Sequence, residues 1–281
     1  MVAINSMQIM VGNNRSYHID LAGDPANPAL LLLHGFTGSR VSWEPLMPAF
    51  LPNYRLIAPD LPGHGNSFVS ANPEEMTMSV TAQDMKALLL ELGIHHAGIL
   101  GYSMGGRLAL HTALYNEGLL DFLILESSTA GIANFEEQMA RRQRDNFLAD
   151  EIESRGLAWF VEYWSNIPLF STQSRLPSVV IERERKIRLS HAPHGLAQSL
   201  RAAGTGSQAS LWPILRDCRA PTLIIAGQDD EKFVRIGRQL HEELPFSEFM
   251  TINNAGHAVH LEQPEQFLAA VTTFLHTIKV R

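Results

Sequence analysis

A glycine-flanked serine is the residue best equipped for chemistry in this 281-residue sequence. Ser103 lies between Gly101 and Gly105, after an apolar run that predicts a buried strand and before a predicted helix. So tight a turn strains the backbone at the serine, and side chains at the two flanking positions would clash. The hydroxyl then projects at the end of the sheet, beside the unpaired N–H groups that begin the helix. The spacing predicts a nucleophile elbow; an ordinary glycine-rich turn is the alternative.

Two later loops supply a carboxylate and an imidazole. Asp230 follows the predicted strand 221–226, and His257 follows the predicted strand 248–252. The carboxyl ends of parallel strands share one edge, so we expect both side chains to meet Ser103 there. An imidazole activates a serine hydroxyl when a carboxylate fixes its tautomer. The chain order Ser, Asp, His is that of the α/β-hydrolase fold, which is the fold class that we predict.

Three residues compete with these assignments. Asp229 adjoins Asp230, but the spacing from the preceding glycine favours Asp230 as the acid. Glu126 ends an earlier predicted strand, at an alternative acid position known in this fold. His260 lies close to His257, which the preceding glycine favours as the base.

The loop that begins at His34 follows the first buried strand. We expect the backbone N–H groups of Phe36 and Met104 to form an oxyanion hole. A bond to backbone explains His34 at least as well as a direct role in chemistry. His64 and Asp60 could form a base and its orienting acid, but the glycines around His64 favour a structural role.

Alternating strands and helices divide the chain into two parts. The alternation is regular up to residue 128 and resumes from 216, which implies a mostly parallel, doubly wound sheet. Residues 129–215 contain charged helical stretches and no clear buried strand. We therefore predict a core from residues 1–128 and 216–281. We predict that residues 129–215 form an inserted helical cap, which can close over the site and exclude water.

Composition excludes several functions. The net charge is −7 without a basic stripe, so we expect no nucleic-acid partner. The single cysteine, Cys218, allows no intrachain disulfide or cysteine cluster, and we predict no metal or other cofactor. No segment approaches the roughly 20 apolar residues of a membrane span, and no secretion signal is visible. We expect a cytoplasmic protein without a membrane partner; the sequence leaves the oligomeric state open.

Arginines concentrate around the predicted site despite the negative net charge. Arg107 lies one helical turn after Ser103 and should face the same pocket. The predicted cap adds Arg141, Arg142, Arg144, Arg175, Arg183, Arg185 and Arg188. Because arginine binds carboxylates in a bidentate manner, this pattern predicts a small anionic substrate. A solvated helix face balanced by acidic residues is the alternative.

Motifs along essentially the whole chain resemble one family. They include Gly101-Tyr102-Ser103-Met104-Gly105-Gly106-Arg107, Glu126-Ser127-Ser128, Arg141-Arg142-Gln143-Arg144-Asp145, Tyr163-Trp164, Arg188-Leu189-Ser190, Ser199-Leu200-Arg201 and Gly256-His257. The sequence is similar to the 2-succinyl-6-hydroxy-2,4-cyclohexadiene-1-carboxylate synthases of menaquinone biosynthesis. The motifs in the predicted cap point to this family, since the triad is common to the whole fold.

The resemblance implies a lyase that eliminates pyruvate from 2-succinyl-5-enolpyruvyl-6-hydroxy-3-cyclohexene-1-carboxylate. Ser103, activated by His257 and Asp230, would be the base that removes the ring proton. The resemblance also implies five substrate contacts, which are Tyr102, Arg107, Arg141, Trp164 and Arg188. Gln138 stands where the family often has arginine, a departure that bears on the placement of the Arg141 helix.

Two other functions remain open at this point. A serine hydrolase, either a carboxylesterase or a C–C bond hydrolase, would share the fold and the triad. A non-catalytic ligand-binding member of the fold is the other alternative, although the intact triad argues against it. Only the arginines of the predicted cap favour the lyase over a hydrolase.

Overall fold

One eight-stranded sheet organises the computed structural model, which describes residues 4–12 and 14–278. The strands are β1 (Ile4–Val11), β2 (Arg15–Ala22), β3 (Ala29–Leu33), β4 (Arg55–Pro59), β5 (Ala97–Tyr102), β6 (Leu120–Glu126), β7 (Thr222–Gly227) and β8 (Ser247–Ile252). Their order is β1-β2-β4-β3-β5-β6-β7-β8. Of these strands only β2 runs against the rest. The mostly parallel sheet confirms the predicted fold class. Residues 1–3, 13 and 279–281 of the predicted core lie outside the described residues.

Helices follow most of the strands. They are α1 (Met47–Phe50), α2 (Met78–Glu91), α3 (Met104–Tyr115), α4 (Phe135–Arg155), α5 (Leu157–Ser165), α6 (Ser178–Leu189), α7 (Pro193–Ala203), α8 (Glu231–Glu243), α9 (Val259–Glu262) and α10 (Pro264–Thr277). Short 3₁₀ helices span Arg40–Trp43, Pro73–Met76, Pro168–Arg175 and Trp212–Asp217. Side-chain caps fix several starts: the Asn134 side chain accepts the Glu137 N–H at 2.9 Å, and α4 begins there.

Two apolar layers cover the faces of the sheet. All five residues of β3 are buried, as expected for a strand covered on both sides. Because side chains alternate along a strand, Leu31 and Leu33 pack in the layer with α2 and α3. Leu30 and Leu32 pack in the opposite layer with α1 and α10. Apolar packing thus covers both faces of the sheet, and loops form the edge at which the parallel strands end.

Helices α4 to α7 lie between β6 and β7 and have a small apolar cluster of their own. Its buried members are Ala149, Ile152, Phe160, Val161, Leu196, Ala197 and Leu200. The 3₁₀ helix Pro168–Arg175 in this segment was not anticipated from the sequence pattern. Within residues 4–12 and 14–278, no helix combines the length and apolarity that a membrane crossing requires.

Replacing Phe160 should test how much this cluster stabilises the protein. Phe160 is fully buried, so Phe160→Ala should lower the free energy of unfolding by about 3–5 kcal/mol through lost burial and a residual cavity. Phe147→Ala is the matched control, because Phe147 lies on the neighbouring α4 and is 68% exposed. Urea unfolding of both variants makes the measurement. Equal losses in the two variants would contradict the assignment of Phe160 to a packed core.

Candidate active site

The turn between β5 and α3 holds Ser103 in a strained conformation. Its φ of 50° lies in the left-handed region, which a residue with a Cβ disfavours. The Ser103 N–H donates to the Glu126 carbonyl at 2.8 Å. A Cβ on Gly105 would overlap the Leu33 carbonyl oxygen, and one on Gly101 would overlap the Gly105 carbonyl. Both glycines are therefore needed for the backbone to turn this closely beneath the serine.

The imidazole of His257 lies between Ser103 and Asp230. His257 Nε2 is 3.0 Å from Ser103 Oγ, and His257 Nδ1 is 2.8 Å from Asp230 Oδ2. Asp230 also accepts the Phe233 N–H at 3.2 Å, which fixes the carboxylate at the start of α8. A carboxylate can only accept, so it holds the proton on Nδ1 and leaves Nε2 to accept from the serine hydroxyl. This arrangement can turn the hydroxyl into a base or a nucleophile.

The three competing residues have other partners. Both carboxylate oxygens of Glu126 lie 2.9 Å from His260 Nδ1, and one of them accepts the His260 N–H at 3.0 Å. This pair is buried in a separate pocket of aromatic rings. Asp229 instead forms an ion pair with Arg175 at 2.6 Å. The structure thus brings Ser103 together with neither of the alternative acids nor the alternative base.

The loop histidines bond to backbone. His34 Nε2 accepts the Leu61 N–H at 3.0 Å, so His34 Nδ1 carries the proton and donates to the Gly35 carbonyl at 2.8 Å. Burial lowers the pKa of His34 to about 4. The His64 ring likewise bonds to backbone groups of two loops, at Thr37 and Pro62. Asp60 accepts hydrogen bonds from the backbone N–H and the guanidinium of Arg40. These contacts give all three residues structural roles. In the part of the chain that the structure describes, no group of three or more His, Cys, Asp or Glu side chains could hold a metal ion.

A cavity of about 120 Å³ lies beside Ser103 and His257. Its wall includes four of the predicted substrate contacts, which are Tyr102, Arg107, Arg141 and Trp164. Phe36 and Met104, the predicted oxyanion residues, also line it, and no acceptor among the described residues bonds to their N–H groups. The indole N–H of Trp164 is buried and has no partner among those residues. Several residues of the cavity wall therefore carry donors that no described acceptor satisfies.

The structure does not place Arg188, the fifth predicted contact, in the wall of this cavity. Arg188 lines a smaller neighbouring cavity of about 30 Å³, and Tyr102 and Phe170 line both. Its guanidinium donates to Ser165 Oγ at 2.9 Å and lies 5.6 Å from the centre of the Phe170 ring. These contacts orient the guanidinium of Arg188 beside the aromatic residues that the two cavities share.

The cavity concentrates positive charge. Arg107 donates to the Ala203 carbonyl at 2.9 Å and to the Gln208 amide oxygen, and no described carboxylate forms an ion pair with it. Burial, and then the charge of Arg141, lower the pKa of Arg107 to about 9. Lys232 also lines the cavity, and burial lowers its pKa too. The sequence analysis assigned no role to Lys232, although its position two residues after the predicted acid was a usable signal.

The sheet topology and the Ser–His–Asp geometry are those of an alpha/beta hydrolase, and the family model of the alpha/beta hydrolase fold matches residues 28–264. A Bacillus subtilis relative, provisionally named a 2-succinyl-6-hydroxy-2,4-cyclohexadiene-1-carboxylate synthase, is 40% identical over 98% of this chain and 100% of its own. The synthase of that name from Pectobacterium atrosepticum is 31% identical over 91% of this chain and 97% of its own. The solved structure of MenH from S. aureus superposes with a TM-score of 0.88 at 34% identity, covering 92% and 98% of the two chains. The chain belongs to the alpha/beta hydrolase fold family and, within it, to the family of these synthases.

Exchanging the two buried carboxylates for amides should separate their roles. Asp230→Asn should lower kcat by about 10⁴-fold, because an amide no longer holds the His257 tautomer. Glu126→Gln should keep kcat within a few-fold and lower the free energy of unfolding by about 1–3 kcal/mol through a poorer bond to His260. Steady-state kinetics on one substrate and urea unfolding provide both numbers. A larger kcat loss in Glu126→Gln would transfer the acid role to Glu126.

Proposed function

We propose that this protein eliminates pyruvate from 2-succinyl-5-enolpyruvyl-6-hydroxy-3-cyclohexene-1-carboxylate to give 2-succinyl-6-hydroxy-2,4-cyclohexadiene-1-carboxylate. The observation that carries the proposal is one cavity that joins the Ser103–His257 pair to the buried guanidinium of Arg107. A buried cation without an ion-pair partner favours an anionic ligand, and this substrate carries several carboxylates. The names of the synthase relatives support the same reaction.

Ser103 acts as the base in this proposal. His257 Nε2 accepts the hydroxyl proton as Ser103 Oγ removes the ring proton next to the succinyl ketone. The electron pair of that C–H bond moves onto the ketone oxygen as an enolate. The enolate then re-forms the ketone while the ring C–O bond to the enolpyruvyl group breaks, and the ring gains its second double bond. The leaving group takes a proton to become pyruvate, so no water is consumed and no acyl-enzyme forms.

Preformed donors stabilise the charge that develops on the ketone oxygen. We assign this role to the N–H groups of Phe36 and Met104, which line the cavity together with Ser103. The buried, unpaired indole N–H of Trp164 is a further donor for a substrate oxygen. Burial raises the pKa of Tyr102, followed by the charge of Glu126, so its phenol stays neutral and able to donate.

The segment 129–215 acts as the cap in this proposal. Helix α4 contributes Arg141 to the cavity wall, and helix α7 contributes Ala203, whereas Ser103 and His257 come from loops of the sheet. Substrate bound between them is shielded from water, which strengthens each electrostatic interaction in the site. We assign binding of the substrate carboxylates to Arg107, Arg141 and Lys232, which reach the cavity from the sheet side and from α4.

Pyruvate release from the purified protein tests the reaction. The wild type should release pyruvate from the enolpyruvyl cyclohexene carboxylate. Ser103→Ala should lower the rate by at least about 10³-fold, because the variant lacks the oxygen that removes the ring proton. A simple nitrophenyl ester serves as the comparison substrate and should be cleaved slowly. Background pyruvate release together with brisk, Ser103-dependent ester cleavage would replace the lyase by a serine hydrolase of the same fold.

Truncating Arg107 tests the anionic character of the substrate. Arg107→Met keeps much of the side-chain volume and should lower kcat/KM for the carboxylated substrate by about 10²-fold, because the variant loses a buried charge-assisted contact. Arg142→Met is the matched control, since Arg142 is exposed on α4 and does not line the cavity. An equal loss in Arg107→Met on the neutral ester would show that the residue acts on folding rather than on the substrate's charge.

A further inference from the structure

Three imidazole rings meet where the loops of the sheet contact the segment 129–215. The ring centres of His34 and His64 are 5.0 Å apart, and those of His64 and His191 are 5.2 Å apart. His34 and His64 belong to loops that follow β3 and β4, whereas His191 lies between α6 and α7. All three are buried. The proposed chemistry uses none of them, so their arrangement needs its own explanation.

Backbone hydrogen bonds define which nitrogen of each ring carries a proton. A backbone N–H can only donate, so His64 Nε2 accepts from the Thr37 N–H at 3.2 Å, and His64 Nδ1 donates to the Pro62 carbonyl at 3.2 Å. His191 Nδ1 accepts from the Gly65 N–H at 3.0 Å, and His191 Nε2 donates to the Thr37 carbonyl at 2.9 Å. Thr37 is therefore held at its N–H by one ring and at its carbonyl by the other.

Thr37 needs such support because its backbone is strained. Its φ is 71°, a region that a β-branched residue rarely adopts unless its surroundings impose it. The residue before it is Phe36, whose N–H is the proposed charge-stabilising donor. A bond from the Gly38 N–H to the Gly35 carbonyl at 3.0 Å closes the same turn. A shift of the Thr37 backbone would therefore change the orientation of the peptide group that carries the Phe36 N–H.

The ring of His191 is fixed by close docking of α7 on the loop after β4. A Cβ on Gly63, where φ is 82°, would overlap the Gly195 carbonyl oxygen, and a Cβ on Gly195 would meet the Gly63 carbonyl at 2.5 Å. The two backbones thus touch directly, two to four residues from Gly65 and His191. Separation of these backbones would withdraw the His191 ring from Thr37.

We propose that His191 is a positioning residue, which couples the seating of the helical segment 129–215 to the alignment of the Phe36 N–H through its hydrogen bond to the Thr37 carbonyl. The inference rests on the proposed function only in treating that N–H as the donor to developing negative charge. Burial lowers the pKa of all three rings, which favours the form that can accept a backbone N–H.

Two conservative variants separate the two bonds of His191. The amide nitrogen of glutamine reaches the position of Nε2, so His191→Gln keeps a donor for the Thr37 carbonyl. Asparagine reaches only the position of Nδ1, so His191→Asn keeps the acceptor for the Gly65 N–H and loses the bond to Thr37. We expect kcat of His191→Gln within about threefold of the wild type. In His191→Asn we expect kcat about tenfold or more lower, with KM within twofold, because a displaced donor costs transition-state stabilisation.

His194→Asn is the control for the loss of a histidine near the start of α7. The exposed ring of His194 bonds to Glu153 at 2.8 Å and to no other described residue, and its replacement should leave kcat unchanged. Thermal unfolding of all three variants accompanies the kinetics. Equal kcat losses in the Gln and Asn variants, or losses that follow their melting temperatures, would reduce His191 to a packing role and overturn the inference.

The assay separates failure of this inference from failure of the proposed function. If the wild type releases pyruvate, the variants are compared by that reaction. If it does not, the proposed function fails, and the same variants are compared on the nitrophenyl ester, because a donor to an oxyanion serves either reaction. In both cases a kcat loss confined to His191→Asn supports the positioning role, and equal effects of Asn and Gln contradict it.

Discussion

The hydrogen-bond chain from Asp230 through His257 to Ser103 is the constraint on which the rest of the structure depends. Its three members come from loops after β5, β7 and β8, so the two distances of 2.8 and 3.0 Å exist only while these strands keep their register. Apolar layers on both faces fix that register. The core of this protein thus determines the relative positions of three polar side chains as well as its stability.

A second carboxylate–imidazole pair supports the first. Glu126 and His260 are buried together, and His260 lies against the Tyr102 ring, with centres 4.8 Å apart. The same ring also contacts His257, with ring centres 5.5 Å apart. A carboxylate–imidazole pair therefore occurs twice at one sheet edge, and of the two pairs it is Asp230–His257 that adjoins the strained Ser103. The inner pair fixes the aromatic wall against which His257 rests.

Local patterns in the sequence predicted the features that depend on local geometry. Three signals indicated the fold and the sheet edge at which the triad meets. They are the glycines around Ser103, the apolar run of β3 and the chain order Ser, Asp, His. They sufficed because turn sterics determine the elbow and strand direction determines the edge. The partners of side chains in the segment 129–215 could not be predicted from the sequence. Arg188 turns to Ser165 and Phe170, and His191 reaches Thr37, through contacts between residues distant in the sequence.

The buried charge of Arg107 lowers the stability of the fold, and the proposed function requires that charge. Among the described residues Arg107 has only neutral hydrogen-bond partners, so its burial costs free energy that an adjacent carboxylate would recover. Asp145, whose negative charge acts on Arg107, is instead paired with Arg141 at 2.8 Å. Neutralising Arg107 within the protein would remove this cost, but it would also remove the attraction for a ligand's carboxylate. The proposed function accounts for this arrangement, since a substrate carboxylate bound beside Ser103 would pair with Arg107 and recover that cost.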